Sequence, residues 1–461
     1  MKIRLLSFIL LSIISLTVQA QIKKDTLSWN EYLQIVKQYH PVAVRAELLS
    51  KVAGARITQA WGNFEPKLSV VHDEKRFDGT EYYRFTTPEV KLPLWYGLEL
   101  KGNYSVAEGA YINPEDKLPK EGLGFVGLNV SLGKGLLMDK RRAALKQARI
   151  FSESAENEQL RMLNDLILEA GEAYLNWQNQ YQITEVYRNA LQLTQVRFEA
   201  VKAAVAGGDR PAIDTIEALT QIQQRQLQFQ QADLQLQNYF YELSSFLWLE
   251  SRDPVDAEKL SVIPASGGQA LLNNPEPAIN NNPKLLSYRF KLQDLEIERR
   301  LKAENLRPTV DLQAGLLNRG SNSFRNLNAD YFQSNNKIGL QIAFPLTFAS
   351  GRGELREAKL KIRDIQLEES LVRNELEVKL NQNKVERKVL EDQLILLNQS
   401  LETNAKLLAG EETRFKLGDG SLFLINARES KLLEVREKLQ EIKNKISNNT
   451  IKQAWLEGVI N

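Results

Sequence analysis

Two pairs of prolines in this sequence are spaced alike. Pro41 and Pro66 stand 25 residues apart, and so do Pro283 and Pro308. An offset of 242 lays Asn63 on Asn305, Leu68 on Val310 and Val70 on Leu312. Further along, Gly127-Leu128-Asn129-Val130 resembles Gly339-Leu340-Gln341-Ile342, and Arg142-Ala143-Ala144-Leu145 resembles Arg352-Gly353-Glu354-Leu355. Gly208-Asp209 matches Gly418-Asp419, and Ala218 matches Ala427. The order never changes, so the chain is a two-fold duplication, and what one half folds into the other must repeat.

Each half predicts helix, strand pair, very long helix, turn, helix. Pro41 and Pro283 suit the first turn of a helix, where no amide is needed. Ser28 and Glu31 form a capping box that starts a short helix near Trp29. Proline-free stretches over roughly 139–206 and 353–417 predict the long helices, the first about 100 Å from end to end. Their seams run through Leu160, Leu163, Ile167, Ala170, Tyr174, Trp177 and Tyr181, with a slip before Tyr187, Leu191, Thr194 and Phe198. In the second half the seam is Leu376, Leu380, Leu390, Leu394, Leu397 and Leu401, interrupted by Asn383, Arg387 and Asn404. Sustained heptads mean coiled-coil packing. The returning helices are shorter, so a returning and an opening helix placed end to end match the length of a long one.

The domain reading follows. Residues 1–20 read as a secretory signal peptide: Lys2 and Arg4, an apolar run from Leu5 to Leu16, then Val18-Gln19-Ala20 before a mature start at Gln21. The first repeat spans 21–249, an Asn-, Pro- and Gly-rich linker 250–282, and the second repeat 283–461. The chain has no Cys, and its net charge of +2 offers no nucleic-acid-binding face.

Strict alternation marks the strands. Val310, Leu312, Ala314 and Leu316 point one way, as do Ile338, Leu340 and Ile342, and Val126, Leu128, Val130 and Leu132. The first half is longer here, from Lys67 to Leu132, and a further alternation at Val90, Leu92 and Leu94 reads as an enlarged loop or extra strand material. No later stretch is long and apolar enough for a membrane helix, so any entry into a membrane must be by strands. Two strands per half make about four per chain, fewer than the roughly eight that the smallest closed barrel needs. Copies must therefore join, in a number that strand count alone leaves open.

The duplicated order, the proline-led helix starts at Pro41 and Pro283 and the Gly-Asp turn before an alanine-containing helix resemble the TolC-like outer membrane efflux protein family. The resemblance covers essentially the whole mature chain. It implies a mostly helical homotrimer with duplicated long hairpins forming an α-barrel across the periplasm, and about four strands per chain in a twelve-stranded transmembrane β-barrel. It also implies a passive channel in the outer membrane, surrounded by lipid, serving efflux or type I secretion. The partners implied are a periplasmic adaptor protein and an inner-membrane transporter, with no cofactor.

The resemblance further makes the helix-to-helix turns the adaptor-docking tips: Arg197, Phe198, Gly208 and Asp209, then Arg414, Phe415, Gly418, Asp419 and Ser421. Just beyond, Asp214 and Glu217 take the positions of an acidic entrance gate, while Phe423 and Asn426 in the second half depart from that pattern. The same residues also suit plain structure, a glycine turn and an acidic helix start.

Two other classes are weighed. A periplasmic adaptor shares the leader and a helical hairpin, but it would show one hairpin rather than two. An enzyme lacks its constellation. His40 and His72 have no neighbours at metal-ligand spacing, and Gly133-Lys134-Gly135 is not a phosphate loop, so no catalytic, cofactor or metal site is expected.

Overall fold

A computed structural model describes residues 26–260, 262–265, 279–320 and 334–458. The leader reading and part of the linker lie outside these residues. The helices are α1 (Trp29–Tyr39), α2 (Pro41–Trp61), α3 (Lys140–Ala206), α4 (Ile213–Ser244), α5 (Pro283–Glu304), α6 (Ala349–Lys416) and α7 (Leu422–Glu457). The strands are β1 (Thr26–Leu27), β2 (Lys67–Phe77), β3 (Thr80–Pro93), β4 (Leu98–Glu108), β5 (Leu123–Ser131), β6 (Ile263–Pro264), β7 (Thr309–Arg319) and β8 (Asn336–Ala343). Both long helices fall within four residues of their expected ends. The chain divides into two compact units, one from described residues of 1–40, 170–271 and 393–445, the other from those of 41–169, 272–392 and 446–461.

In the first unit, Ser28 caps α1 through the expected box, its hydroxyl accepting from the Glu31 amide at 3.3 Å. The α1 side chains Tyr32 and Val36 are fully buried. Tyr174 of α3 donates to the Leu27 carbonyl at 2.9 Å, and burial pushes its phenol up to about 12. The expected slip in the α3 seam is not there. Gln180 and Thr184 are buried and carry the seam on from Trp177 to Tyr187. Both donate to the Ala232 carbonyl of α4, at 3.1 and 3.2 Å. Their hydrogen bonds let polar side chains occupy seam positions that an apolar count skips.

The second unit holds one antiparallel sheet of six strands, in the order β2-β3-β4-β5-β7-β8. This corrects the expected strand number of about four. Of the two readings of the region 67–132, extra strand material is the one found: it supplies β2, β3, β4 and β5. The matched strands are β2 with β7 and β5 with β8, and among the described residues hairpin β3–β4 has no match in the second copy.

Elsewhere the duplication shows in the joints. Arg142, at the start of α3, donates to the carbonyls of Gly135 and Leu136 at 2.6 and 3.0 Å. Arg352, its repeat counterpart, donates to the Thr347 carbonyl at 2.5 Å. Each arginine clamps the turn by which a strand enters a long helix. The interruptions in the α6 seam are also contacts. Asn383 and Asn449 each donate to the other's backbone carbonyl at 3.1 Å, and Arg387 donates to Thr450 at 2.8 Å.

Candidate functional site at the hairpin tips

The two turns end their helices in the same way. After α3, the Gly208 amide donates to Val205 and the Asp209 amide to Ala204. After α6, Gly418 donates to Phe415 and Asp419 to Arg414. This six-to-one and five-to-two pattern needs a left-handed residue at its centre, and Gly208 and Gly418 have φ of 84° and 83°. A Cβ on either would meet no atom within 4 Å, so only the backbone conformation demands glycine. Gly208, Asp209, Gly418, Asp419, Arg414 and Ser421 are exposed. Arg414 reaches the Asp419 carboxylate at 3.4 Å, and Ser421 caps α7 by accepting from the Leu424 amide at 3.3 Å.

Arg197, Phe198 and Phe415 sit apart from that exposed set. Phe198 and Phe415 pack with Val205 on a cluster of Val201, Ala218 and Leu422, which draws on all four helices of the two hairpins. Arg197 pairs with Glu429 of α7 at 2.7 Å and lies 3.6 Å from Glu412 of α6. These three therefore join hairpin to hairpin within the chain.

The acidic pair is partnered too. Asp214 lies 3.5 Å from Arg210, whose guanidinium stacks 3.5 Å above the Phe415 ring and donates to the Phe415 carbonyl at 3.2 Å. Glu217 accepts from Asn426 at 3.1 Å, so an acidic residue of the first copy meets the amide at its matched position in the second. Phe423 is exposed beside this contact.

Several members of this joint escaped the sequence reading. Arg225 of α4 is 1% exposed and donates to Gln228 and Ser430, each at 2.8 Å. Burial pulls its guanidinium below the ordinary value. Tyr187 donates to Glu437 at 2.6 Å, and burial first, then that carboxylate, pushes its phenol well up. A signal existed. Arg225 falls one heptad from both Ala218 and Ala232, and Glu429 four residues after Ile425 and three before Leu432, the spacing of buried seam residues. A charge on a seam implies a buried partner.

The histidines serve packing and pairing. His40 stacks on Phe246, and His72 of β2 hydrogen-bonds Thr86 of β3 at 2.9 Å. Among the described residues no acidic or histidine cluster could hold a metal, and no helix is long and apolar enough to cross a membrane.

No protein-family model matches the sequence, and neither does any curated protein. Solved structures do. The Campylobacter jejuni CmeC outer membrane channel is 13% identical with a TM-score of 0.65, covering 93% of this chain and 85% of its own. The outer membrane protein VceC of Vibrio cholerae is 15% identical at 0.64, covering 93% and 95%. The Neisseria gonorrhoeae MtrE outer membrane channel is 13% identical at 0.63, covering 93% and 88%. At such low identity the likeness speaks for architecture alone, and that architecture is specific: the chain shares the fold of the bacterial outer membrane channels, as its TolC-like duplicated order implied.

Proposed function

We propose that this protein is the outer membrane channel of a tripartite efflux or type I secretion system, a passive conduit from periplasm to exterior. It works as a homotrimer with a periplasmic adaptor and an inner-membrane transporter. The observation that carries this reading is an open sheet with a broad apolar band on one face, built into a chain that also forms two long helical hairpins. Leu68, Ile338 and Leu340 on that face are 73%, 71% and 61% exposed, an arrangement that water penalises and lipid rewards. A periplasmic adaptor would need neither the second hairpin nor such a sheet. The exposed tip residues Gly208, Asp209, Arg414, Gly418, Asp419 and Ser421 are the adaptor-docking surface in this reading. Asp214 and Glu217 line the entrance.

Fractionation and native mass measurement in detergent test the proposal. The expected species is a heat-sensitive trimer in the outer membrane fraction that conducts ions in planar bilayers. A stable monomer in aqueous buffer, free of membrane, would end it.

A further inference from the structure

Hairpin β3–β4 has no counterpart among the described residues of the second repeat, and an added hairpin could cap a barrel, plug it or belong to its wall. The cross-strand register decides. Opposed residues of an antiparallel pair lie on one face. One row runs Leu92, Leu100, Leu128, Ala314, Ile338 through β3, β4, β5, β7 and β8. A second runs Leu68, Val90, Gly102, Val126, Leu316 from β2 to β7 and ends on Asn336 of β8. A third runs Leu98, Val130, Leu312, Leu340. The inserted strands thus place Val90, Leu92, Leu98 and Leu100 in the same apolar rows as the duplicated strands.

The opposite face is polar along its lysine row, while the next row carries Phe125 and Leu317. Lys67, Lys91, Lys101 and Lys337 stand on one row with Gly127 and Gly315 between them. Glu89 of β3 pairs with Lys91 and, at 2.5 Å, with Lys101 of β4. Ser131 donates to Asp311 at 2.8 Å. A capping or plugging hairpin would break this division into apolar and polar faces.

Both ends of the hairpin also carry aromatic rings. At one end Trp95, in the β3–β4 turn, stacks on Phe64 at 5.0 Å and meets Trp61 edge-on, at the foot of α2. At the other, Tyr82 contacts Phe77 and Tyr111, with centroids 6.1 and 4.8 Å apart. Aromatic girdles flank the apolar band of a membrane barrel at both interfaces.

We infer that β3–β4 is lipid-facing barrel wall, so that each copy contributes six strands, and β2 of one copy pairs antiparallel with β8 of the next. The number of copies rests on the trimer proposed above. Three copies of a six-stranded sheet close at eighteen strands. The edges suit this closure: β2 and β8 are exposed along their whole lengths and, with six strands between turns, run in opposite directions. Barrel width grows nearly linearly with strand number, so the bore is about 1.5 times that of a twelve-stranded barrel.

The absence of cysteine makes the test direct. Single substitutions Leu92→Cys and Leu100→Cys probe the inserted hairpin, Leu128→Cys and Leu340→Cys the duplicated strands, and Lys91→Cys and Lys101→Cys the other face. Whole cells and outer membranes are treated with a water-soluble and a lipid-soluble maleimide. The expected result is that all four leucine positions resist the water-soluble reagent and take the lipid-soluble one, while both lysine positions react from water. Shielding at 128 and 340 with free reaction at 92 and 100 would overturn the wall while leaving the outer membrane reading intact. Free reaction at every position would overturn both. Electron cryomicroscopy of the detergent-purified protein supplies the second readout: eighteen strands around the wall support the inference, and twelve refute it.

Discussion

The guanidinium of Arg197 on α3 lies 2.7 Å from the carboxylate of Glu429 on α7, joining the first hairpin to the second with only 5% of the Glu429 side chain exposed. Removing one member of such a pair leaves a charge buried without its partner, a loss of ~3–5 kcal/mol in general. Arg225 still attracts Glu429, so Arg197→Ala is expected near the lower end. Hydrogen exchange should show faster opening of the α7 start and the α3 end. The double variant Arg197→Met with Glu429→Leu should recover part of the protection, because neither member of the pair is then left alone, although buried Arg225 loses the Glu429 charge. Unchanged exchange in Arg197→Ala would mean that the apolar cluster around Phe198 and Phe415 holds the tips unaided.

Gly208 and Gly418 separate two demands at the turns. Because a Cβ finds open space at both, Gly208→Val and Gly418→Val are expected to cost only backbone strain, about 1–2 kcal/mol each. Asparagine, which tolerates the left-handed region, should cost less. If the tips are the docking surface, both valine variants keep trimer and membrane insertion but lose export. Normal export with the native adaptor would remove the tips from the contact.

The elements that the sequence revealed are those whose signal is local. Long proline-free heptads and a capping box at Ser28 need nothing beyond their neighbours, and they fell within a few residues of their observed ends. Sheet size was less legible, since Pro88 interrupts β3 and Gly102 interrupts β4, and membership depends on cross-strand register, which no single strand encodes. At the tips, glycine chemistry marked the turns correctly. The pairing of Arg197 with Glu429 and of Glu217 with Asn426 joins residues more than 200 positions apart, and only the packed hairpins bring them together.

Asn383 and Asn449 illustrate a buried polar clasp with a cost attached. Each donates to the other's carbonyl, but the Oδ1 of each finds no partner. Asn383→Ala removes one of the two bonds and leaves a cavity, while Asn449 still donates to the carbonyl of residue 383, a loss of about 1–3 kcal/mol. The double variant Asn383→Leu with Asn449→Leu removes every unsatisfied side-chain atom at the site and is expected to melt at or above the wild-type temperature. A double variant less stable than either single would show that the clasp is worth more than apolar packing.

Asp294 on α5 supplies a pH signature. Burial first, then the Glu298 charge, raises its carboxyl above the ordinary range against a hydrogen bond from Gln147. The folded chain therefore holds this proton more tightly than the unfolded chain does. Its contribution to stability is full at low pH and falls as pH rises from about 3.9 through the folded value. Asp294→Asn should melt higher than wild type at pH 7 and equally at about pH 3, as calorimetry in detergent would record. A wild-type advantage at pH 7 would mean that the carboxylate has a favourable partner in the assembled protein.

Asp214, Glu217 and Arg210 give a test of the entrance whose outcomes differ in sign. Asp214 pairs with Arg210 at 3.5 Å, so its charge is partly offset, while Glu217 receives only the neutral Asn426 amide. If these side chains line the pore in each of three copies, their summed field sets the preference between cations and anions. Glu217→Gln keeps an oxygen for Asn426 and removes one negative charge per copy, so cation preference should fall. Asp214→Asn should lower it further, because Arg210 is left uncompensated above the Phe415 ring. Arg210→Gln should raise it. All three effects should shrink as ionic strength rises and the Debye length contracts. Stability should change little, since an acidic residue in the first turn of a helix contributes about 0.3–1 kcal/mol. Reversal potentials across planar bilayers under a salt gradient measure each variant. If the three behave alike and match wild type, the carboxylates are helix-end charges and the entrance is lined by other groups.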